Sequence, residues 1–500
     1  MKEFQVVVIG GGINGAGLAR EAAYRGFKTM LVEQGDFAQA TSSQSSKLIH
    51  GGIRYLEQGR MGLVFEALLE RKRLLHIAPH LVTPLRFHIP VYQGDQRPAW
   101  MIGLGCWLYD QLAGGRNLEA SHRLTKAEIS QLGELKKEGL KAVFAYSDAQ
   151  VFDARLTLET ALSASDAGAE VHNQMAFVAA KRDQDRFIVE LKNFRNGTRL
   201  EVSTQVLINA AGAWAPVLDK QITAKPKRPG LKLVRGIHFL VKTGAVNHGF
   251  LTLPKGGRIV FVLPWQGYLL IGTTESLYEG EDRLHIPPSE EEKEYLLKVY
   301  NEYFPNQPLD PSQILHTYSG VRPLIDLGEA DLGKMSREAH WESEFFAGGQ
   351  GYWALFGGKI TSYRAFAEQI ISEVAKHFGP LGPSKGDTAQ HPLPGALLPS
   401  DAESLRARLK GDPALALKDQ WVRRYASGWA WIARRYLDHP ETQTLLARGF
   451  CLAELTYLVE REKVWELEDI LLRRSLLAFE FTQDEKTLIG QKLNEIRVRP

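Results

Sequence analysis

The amino-acid sequence predicts a three-part α/β chain: a parallel-sheet domain entered at the N-terminus, an antiparallel-sheet domain threaded through it, and an all-helical C-terminal part. Three observations predict it. A short, wholly apolar run, Val6 to Ile9, leads into a glycine-rich turn, an Ala-rich stretch and a second apolar run. Leu231 to Thr274 alternates in character and carries many Gly and Pro, as an antiparallel sheet does. Residues 400–500 are almost wholly helical in pattern. A length of 500 residues suits two or three domains.

The elements follow in order. Asn14–Arg25 reads as a helix stopped by Gly26, and Thr29–Val32 as a strand closed by Glu33. A polar segment, Thr41–Lys47, precedes Leu48–Arg54. Gly62–His76 reads as a charged helix, and the Pro-punctuated stretch Pro79–Pro98 as strand-like. Leu156–Ala167 reads as a helix, Glu170–Val178 and Arg186–Lys192 as strands, and Val206–Asn209 as a short apolar strand ending in Ala210, Ala211 and Gly212. Tyr318–Pro323 and Phe356–Thr361 are later Gly-bearing segments, the second leading into a helix over Ser362–Phe378. Gly379–Gly395, rich in Gly, Pro and Ser, is the best candidate for a linker.

Composition excludes several functions. Sixty-one basic and 58 acidic residues leave a net charge of +3, too small to argue for a nucleic-acid partner. Two cysteines, Cys106 and Cys451, build no disulfide framework, zinc cluster or iron–sulfur site, and no metal site is expected. The N-terminus enters a strand at once, which argues against a signal peptide. No apolar run reaches the length of a membrane-spanning helix.

Gly10, Gly12 and Gly15 stand between a strand and a helix. Gly10 suits the tight turn, Gly12 the approach of backbone to a pyrophosphate, and Gly15 the packing of helix on strand. The helix N-terminus aims N–H groups at the phosphates, and Glu33 suits a ribose hydroxyl. This unit predicts an ADP-bearing cofactor without choosing FAD or NAD. Later segments favour FAD. Thr41–Lys47 offers hydroxyls and a cation to phosphates and ribityl, Gly51 and Gly52 let backbone approach a ring, and Gly357 and Gly358 open a second turn over the cofactor.

The motifs IGGGINGAG, ATSSQSSKLIHGGIRYLE, RPAWM, YSDAQVFDAR, INAAGAW, FVLPW, IGTT, YSGVRPL and FGGKITSYR together resemble the FAD-dependent, respiratory, quinone-linked glycerol-3-phosphate dehydrogenases, over most of residues 4–370. The resemblance implies an FAD-binding Rossmann-like domain (residues 1–70, 150–215 and 320–380), an antiparallel-sheet substrate domain (71–149 and 216–319) and a C-terminal helical cap (390–500). It implies oxidation of sn-glycerol 3-phosphate to dihydroxyacetone phosphate, with electrons passed to ubiquinone or menaquinone. The enzyme would lie peripherally or monotopically on the cytoplasmic side of the inner membrane, with a homodimer as the assembly considered. The FAD contacts it implies are Gly10, Gly12, Ile13, Asn14, Gly15 and Glu33; Thr41, Ser42, Ser43, Ser46, Lys47 and Leu48; His50, Gly51 and Gly52; Val178; Ala211, Gly212 and Trp214; and Gly357, Gly358, Lys359, Ile360 and Thr361.

Such a reaction needs cations for a phosphate dianion and a base for a hydroxyl proton. By resemblance Arg322 takes the phosphate, followed by Arg54 and Lys359, with Tyr55 supplying a hydroxyl and Arg235 in reserve. His238 is the favoured base; His50 is the other plausible imidazole, beside the Gly pair. Lys359 also suits a developing alkoxide or reduced flavin. The composition of the Arg97–Arg116 segment, with Trp100, Met101, Ile102, Leu104, Trp107, Leu108 and Tyr109, fits an ordinary core helix or a membrane-interface helix, and the resemblance implies the second, whereas Trp421–Tyr436 reads as an amphipathic helix packed in the C-terminal part. The rival readings are an oxidase of the same substrate using oxygen, a flavin amine or hydroxy-acid oxidase, and a non-catalytic flavin protein.

Overall fold

The computed structural model describes residues 1–114, 118–222, 230–242, 248–326, 339–412 and 414–497. Two large sheets carry the chain. In the first, Gly351–Phe356, Arg199–Asn209, Lys2–Ile9, Thr29–Val32 and Glu170–His172 lie side by side, all parallel. Val6, Val7 and Val8 sit at its centre and are fully buried, because both faces are covered. Helices Ile13–Tyr24, Asp153–Asp166 and Tyr363–His377 share one apolar cluster with one face. The antiparallel pair Met175–Asp183 and Arg186–Asn193 supplies core to the other.

The second sheet runs Ser276–Leu277, Leu231–Val241, Tyr268–Gly272, Val260–Trp265, Gly249–Thr252, Val82–Tyr92, Leu140–Val151 and Leu48–Ile49. One pairing in it, Gly249–Thr252 with Val82–Tyr92, is parallel. Ile314–Ile325 pairs along the length of Leu231–Val241, so a domain boundary at residue 320 divides a strand that belongs wholly to this sheet. Conversely, the helix Ala215–Ile222, expected with the substrate domain, packs Ala215 and Ile222 into the core of the first sheet.

Several expectations about local structure change. Glu170–Val178 is two strands, broken where Gln174 adopts a left-handed conformation and donates its N–H to the Gly35 carbonyl. Gly379–Gly395 is a strap rather than a free linker. Gln5 holds Gly379 and Leu381, and the buried Arg20 guanidinium donates to the carbonyls of Thr388 (3.0 Å) and His391 (2.7 Å). The C-terminal part includes a small hairpin, Leu445–Ala447 with Phe450–Cys451, among its helices.

Trp421–Tyr436 forms two helices, Leu415–Tyr425 and Trp429–Asp438, that bury Trp421, Tyr425, Trp429 and Tyr436 in one core. The helix Ala99–Ala113 behaves differently. It buries Cys106, Tyr109 and Ala113 and leaves Trp100 71% and Trp107 55% exposed, with Met101 and Leu104 also outward. Arg116, at the end of that segment, lies outside the described residues. No helix among the described residues is long and apolar enough to cross a membrane.

Candidate active site

A cavity of about 550 Å³ runs from the first glycine turn to residues that border the second sheet. Its first wall comes from Gly10, Gly12, Ile13 and Asn14. Gly10 has φ +108°, and a Cβ there would meet the Ala210 carbonyl at 2.6 Å. Gly15 lies off the lining, and a Cβ on it would meet the Gly10 carbonyl oxygen at 1.8 Å. Close packing of helix on turn therefore accounts for Gly15 without a ligand. The Asn14 amide donates to the Gly357 carbonyl (3.1 Å), while its buried Oδ1 has no hydrogen-bond partner among the described residues. Glu33 faces the cavity and accepts from the N–H groups of Gly11 (2.6 Å) and Gly35 (2.8 Å). Burial raises its pKa, with those two N–H groups opposing the rise.

The polar segment contributes Thr41, Ser42 and Ser46 to the lining, and Leu48 follows them there. Ser42 Oγ accepts from Ile13 N at 3.0 Å, closing the segment over the start of the helix. Further along come His50, Gly52, Arg54 and Tyr55, then Ala211, Gly212 and Trp214, then Arg322, and finally Gly357, Gly358, Lys359, Ile360 and Thr361. Segments more than 300 positions apart in sequence thus line one cavity.

Five further residues expected at the site do not line it. The Lys47 ammonium is spent on Asp153, with contacts of 2.8 and 2.9 Å, beneath the rings of Trp265 and Tyr318. It is therefore a structural ion rather than a phosphate ligand, and burial lowers its pKa against the pull of Asp153. The Ser43 hydroxyl turns back to the Ala40 carbonyl. The Gly51 N–H points inward to Tyr109 Oη (2.8 Å) and Asp148. Val178 falls at a β-bulge, and its neighbours Met175 and Phe177 face the cavity instead, because alternate strand residues point to opposite sides.

His238 is the fifth. Its ring is 1% exposed, stacked on Tyr318 at 4.9 Å, with Nε2 2.9 Å from Ser46 Oγ. Ser46 stands on the cavity wall and His238 lies one layer behind it. Burial holds the His238 pKa well below the ordinary imidazole range, and Arg322 and Lys47 push it the same way. Arg235, the reserve cation, is likewise off the lining, paired with Glu292 at 2.8 Å.

Charged groups gather around Arg322 and around Lys359. Arg322 Nη2 donates to Thr273 Oγ1 (2.9 Å), and its Nη1 lies 3.8 Å from Glu275. The other oxygen of Glu275 pairs with Arg258. Burial lowers the Arg322 pKa to about 10, which leaves it charged at neutrality. Lys359 Nζ sits 3.8 Å from the centre of the Tyr55 ring. His50 is lowered by burial, with Asp148 raising it and Lys359 and Arg71 lowering it further. Its imidazole is therefore neutral near pH 7. Asp148 is occupied by Arg71 (2.7 Å) and Tyr109 (2.8 Å).

Arg258, Thr273, Glu275 and Asp148 were not anticipated as site residues. Arg258 and Glu275 are single charges beside turns with no local signature. Thr273 and Asp148 stand inside IGTT and YSDAQVFDAR, and those motifs were the only signal for them.

Comparison with known proteins agrees with this geometry. Residues 5–364 match the family described as FAD dependent oxidoreductase. A glycerol-3-phosphate dehydrogenase of Pseudomonas aeruginosa is 39% identical, the match covering 98% of this chain and 95% of that protein. A D-erythritol 1-phosphate dehydrogenase of Brucella abortus is 36% identical, covering 96% and 95%. The crystal structure of a Bacillus halodurans glycerol-3-phosphate dehydrogenase complexed with FAD superposes with a TM-score of 0.74 at 26% identity, covering 99% of this chain and 95% of that one. The cofactor of this cavity is accordingly FAD. The glycine turn, Glu33, the orphaned Asn14 Oδ1 and the Gly357–Thr361 turn are the groups that fit it.

Proposed function

We propose, since the chain belongs to the FAD-dependent oxidoreductases and within them to the glycerol-3-phosphate dehydrogenases, that it oxidises sn-glycerol 3-phosphate to dihydroxyacetone phosphate and delivers the electrons to a membrane quinone, ubiquinone or menaquinone. The observation that carries this reading is a chain of neighbours on the cavity wall: Arg258 and Arg322 share Glu275, Tyr55 stands near Arg322 and under Lys359, and Lys359 adjoins the neutral imidazole of His50, with Arg54 on the same lining. Cations suit a phosphate dianion, and a neutral imidazole suits a hydroxyl proton.

The residues divide the work as follows. Arg322 and Arg258 hold the phosphate, with Glu275 fixing the spacing of the two guanidinium groups. Arg54 and Tyr55 complete that end. FAD, when bound, supplies the hydride acceptor for C2. His50 takes the C2 hydroxyl proton, and the Lys359 ammonium stabilises charge developing on that oxygen. The apolar residues Phe87, Leu251, Ile259 and Phe261 on the lining exclude water from the reacting carbon.

The electron exit lies at the membrane. Trp100, Met101, Leu104 and Trp107 project from a helix too short to span a bilayer, and the adjoining helix Met61–Ile77 exposes Met61 and Phe65. Aromatic and apolar groups so displayed suit the headgroup boundary and favour a peripheral enzyme; the cytoplasmic face of the inner membrane is carried by the family resemblance alone.

The test is reoxidation. Enzyme reduced anaerobically with glycerol 3-phosphate is mixed with a short-chain quinone or with oxygen. Faster recovery of the flavin absorbance with quinone supports the dehydrogenase reading; faster recovery with oxygen assigns an oxidase. The Brucella relative favours a second substrate, D-erythritol 1-phosphate, and the ratio of kcat/KM for the two phosphates decides between them.

A further inference from the structure

The C-terminal helical part reaches the FAD site through one buried carboxylate. Asp36 lies three residues beyond Glu33, in the segment that lines the cavity next to the glycine turn. That segment is built onto the turn: Ala38 donates its N–H to the Gly11 carbonyl, and Gly11 donates to Glu33. Asp36 itself is 1% exposed. Arg474 approaches it as a fork, Nη1 to Oδ2 at 2.6 Å and Nη2 to Oδ1 at 2.8 Å, and Arg473 Nε adds a third contact at 2.7 Å. Asn173 supplies a fourth at 3.3 Å. Both arginines come from Asp469–Arg474, a single π-helical turn of the C-terminal part.

That turn is braced behind. Asp469 pairs with Arg473 and accepts from the N–H groups of Trp465 and Glu466. Arg474 also donates to the Glu462 carbonyl (2.8 Å), and the Glu462 carboxylate holds Arg155 at 2.6 Å. The Arg155 residue belongs to the helix Asp153–Asp166, which packs on the first sheet. Burying this many charges is costly, and hydrophobic packing would join two domains at lower cost. The arrangement places a bidentate clamp on a loop that is hydrogen-bonded to both Glu33 and the glycine turn.

We infer that Arg473 and Arg474 are positioning residues for FAD: by clamping Asp36 they hold the 33–40 loop in its cofactor-binding form, and the helical domain is thereby a cofactor-retention element. The inference rests on FAD as the cofactor and not on the identity of the substrate.

The experiment measures the FAD dissociation constant, by recovery of free-flavin fluorescence from the diluted holoenzyme, beside the unfolding midpoint of each variant. Arg474→Met and Asp36→Asn should each weaken FAD binding at least tenfold, and the double variant should lose little more than either single one. Arg474→Lys, which keeps the charge and loses the fork, should fall between. Arg424→Met removes a buried partner of Glu454 within the helical domain and does not touch the loop, so it should lower the midpoint and leave FAD affinity unchanged. Unchanged FAD affinity in Arg474→Met overturns the inference. If that variant does not fold, unchanged affinity in Arg474→Lys does so. A loss in Arg424→Met as large as in the loop variants also overturns it, because the effect would then be one of global stability. None of these readings needs glycerol 3-phosphate, so they stand apart from the proposed reaction.

Discussion

Arg322 Nη1 stands 3.8 Å from the carboxylate of Glu275, whose other oxygen is held by Arg258. One buried anion therefore fixes the spacing of two guanidinium groups on the wall of the FAD cavity. Without it, two adjacent half-buried cations would repel and swing apart. With it, the two guanidinium groups and the carboxylate carry a net positive charge on the cavity wall. In the proposed reaction this prearranged pair is what receives the substrate phosphate.

Arg322→Ala should raise KM for glycerol 3-phosphate about 30-fold or more, equivalent to roughly 2 kcal/mol, through loss of a partly buried charge pair. FAD content should stay at the wild-type level, because Arg322 contacts Thr273 and Glu275 rather than the glycine turn. Steady-state kinetics with flavin quantitation checks both, and an unchanged KM removes Arg322 from the phosphate site.

The two imidazoles separate in the reductive half-reaction. His50→Asn should slow anaerobic flavin reduction about 10²-fold or more, the usual scale for losing a general base. His238→Asn should slow it far less, since its ring lies behind Ser46. Stopped-flow traces at saturating substrate discriminate them, and a larger loss in the His238 variant would return the base to that position.

His238 also predicts a pH dependence of stability. In the unfolded chain it titrates near the ordinary histidine value of about 6.5, whereas in the fold it stays neutral well below that. Below that value the unfolded chain binds a proton that the native state refuses. The contribution is therefore full above about pH 6.5 and declines as pH falls, by up to about 1.4 kcal/mol per pH unit. Denaturant titrations between pH 7 and pH 5 should show His238→Asn with a shallower loss than wild type. Equal slopes would contradict the buried neutral state.

Replacing Trp100 and Trp107 together by Ser should abolish most sedimentation with phospholipid vesicles. Turnover with a water-soluble acceptor should be unaffected, since neither side chain lines the cavity. Retained vesicle binding would place the membrane surface elsewhere.

Much of the cofactor site was legible because its residues answer to local rules. Gly10, Glu33 and the Gly357–Thr361 turn each sit at a strand end, where the order of strand, turn and helix marks a turn that can face a ligand. The residues that escaped answer to non-local ones. Lys47 stands among hydroxyls in sequence, yet the partner that occupies it, Asp153, is 106 positions away. His238 reads as a strand histidine, and only the pairing of its strand with Ile314–Ile325 shows it stacked on Tyr318 and turned from the cavity. Arg258 and Glu275 carry no pattern of their own and acquire meaning only beside Arg322. The link from Asp36 to Arg474 spans 438 positions, beyond the reach of any periodicity.

The most direct test of the central claim is anaerobic titration of the FAD-loaded enzyme with sn-glycerol 3-phosphate while the flavin absorbance is followed. The account predicts bleaching of the oxidised flavin band with one equivalent of dihydroxyacetone phosphate formed per flavin. A flavin that stays oxidised at saturating glycerol 3-phosphate would contradict it.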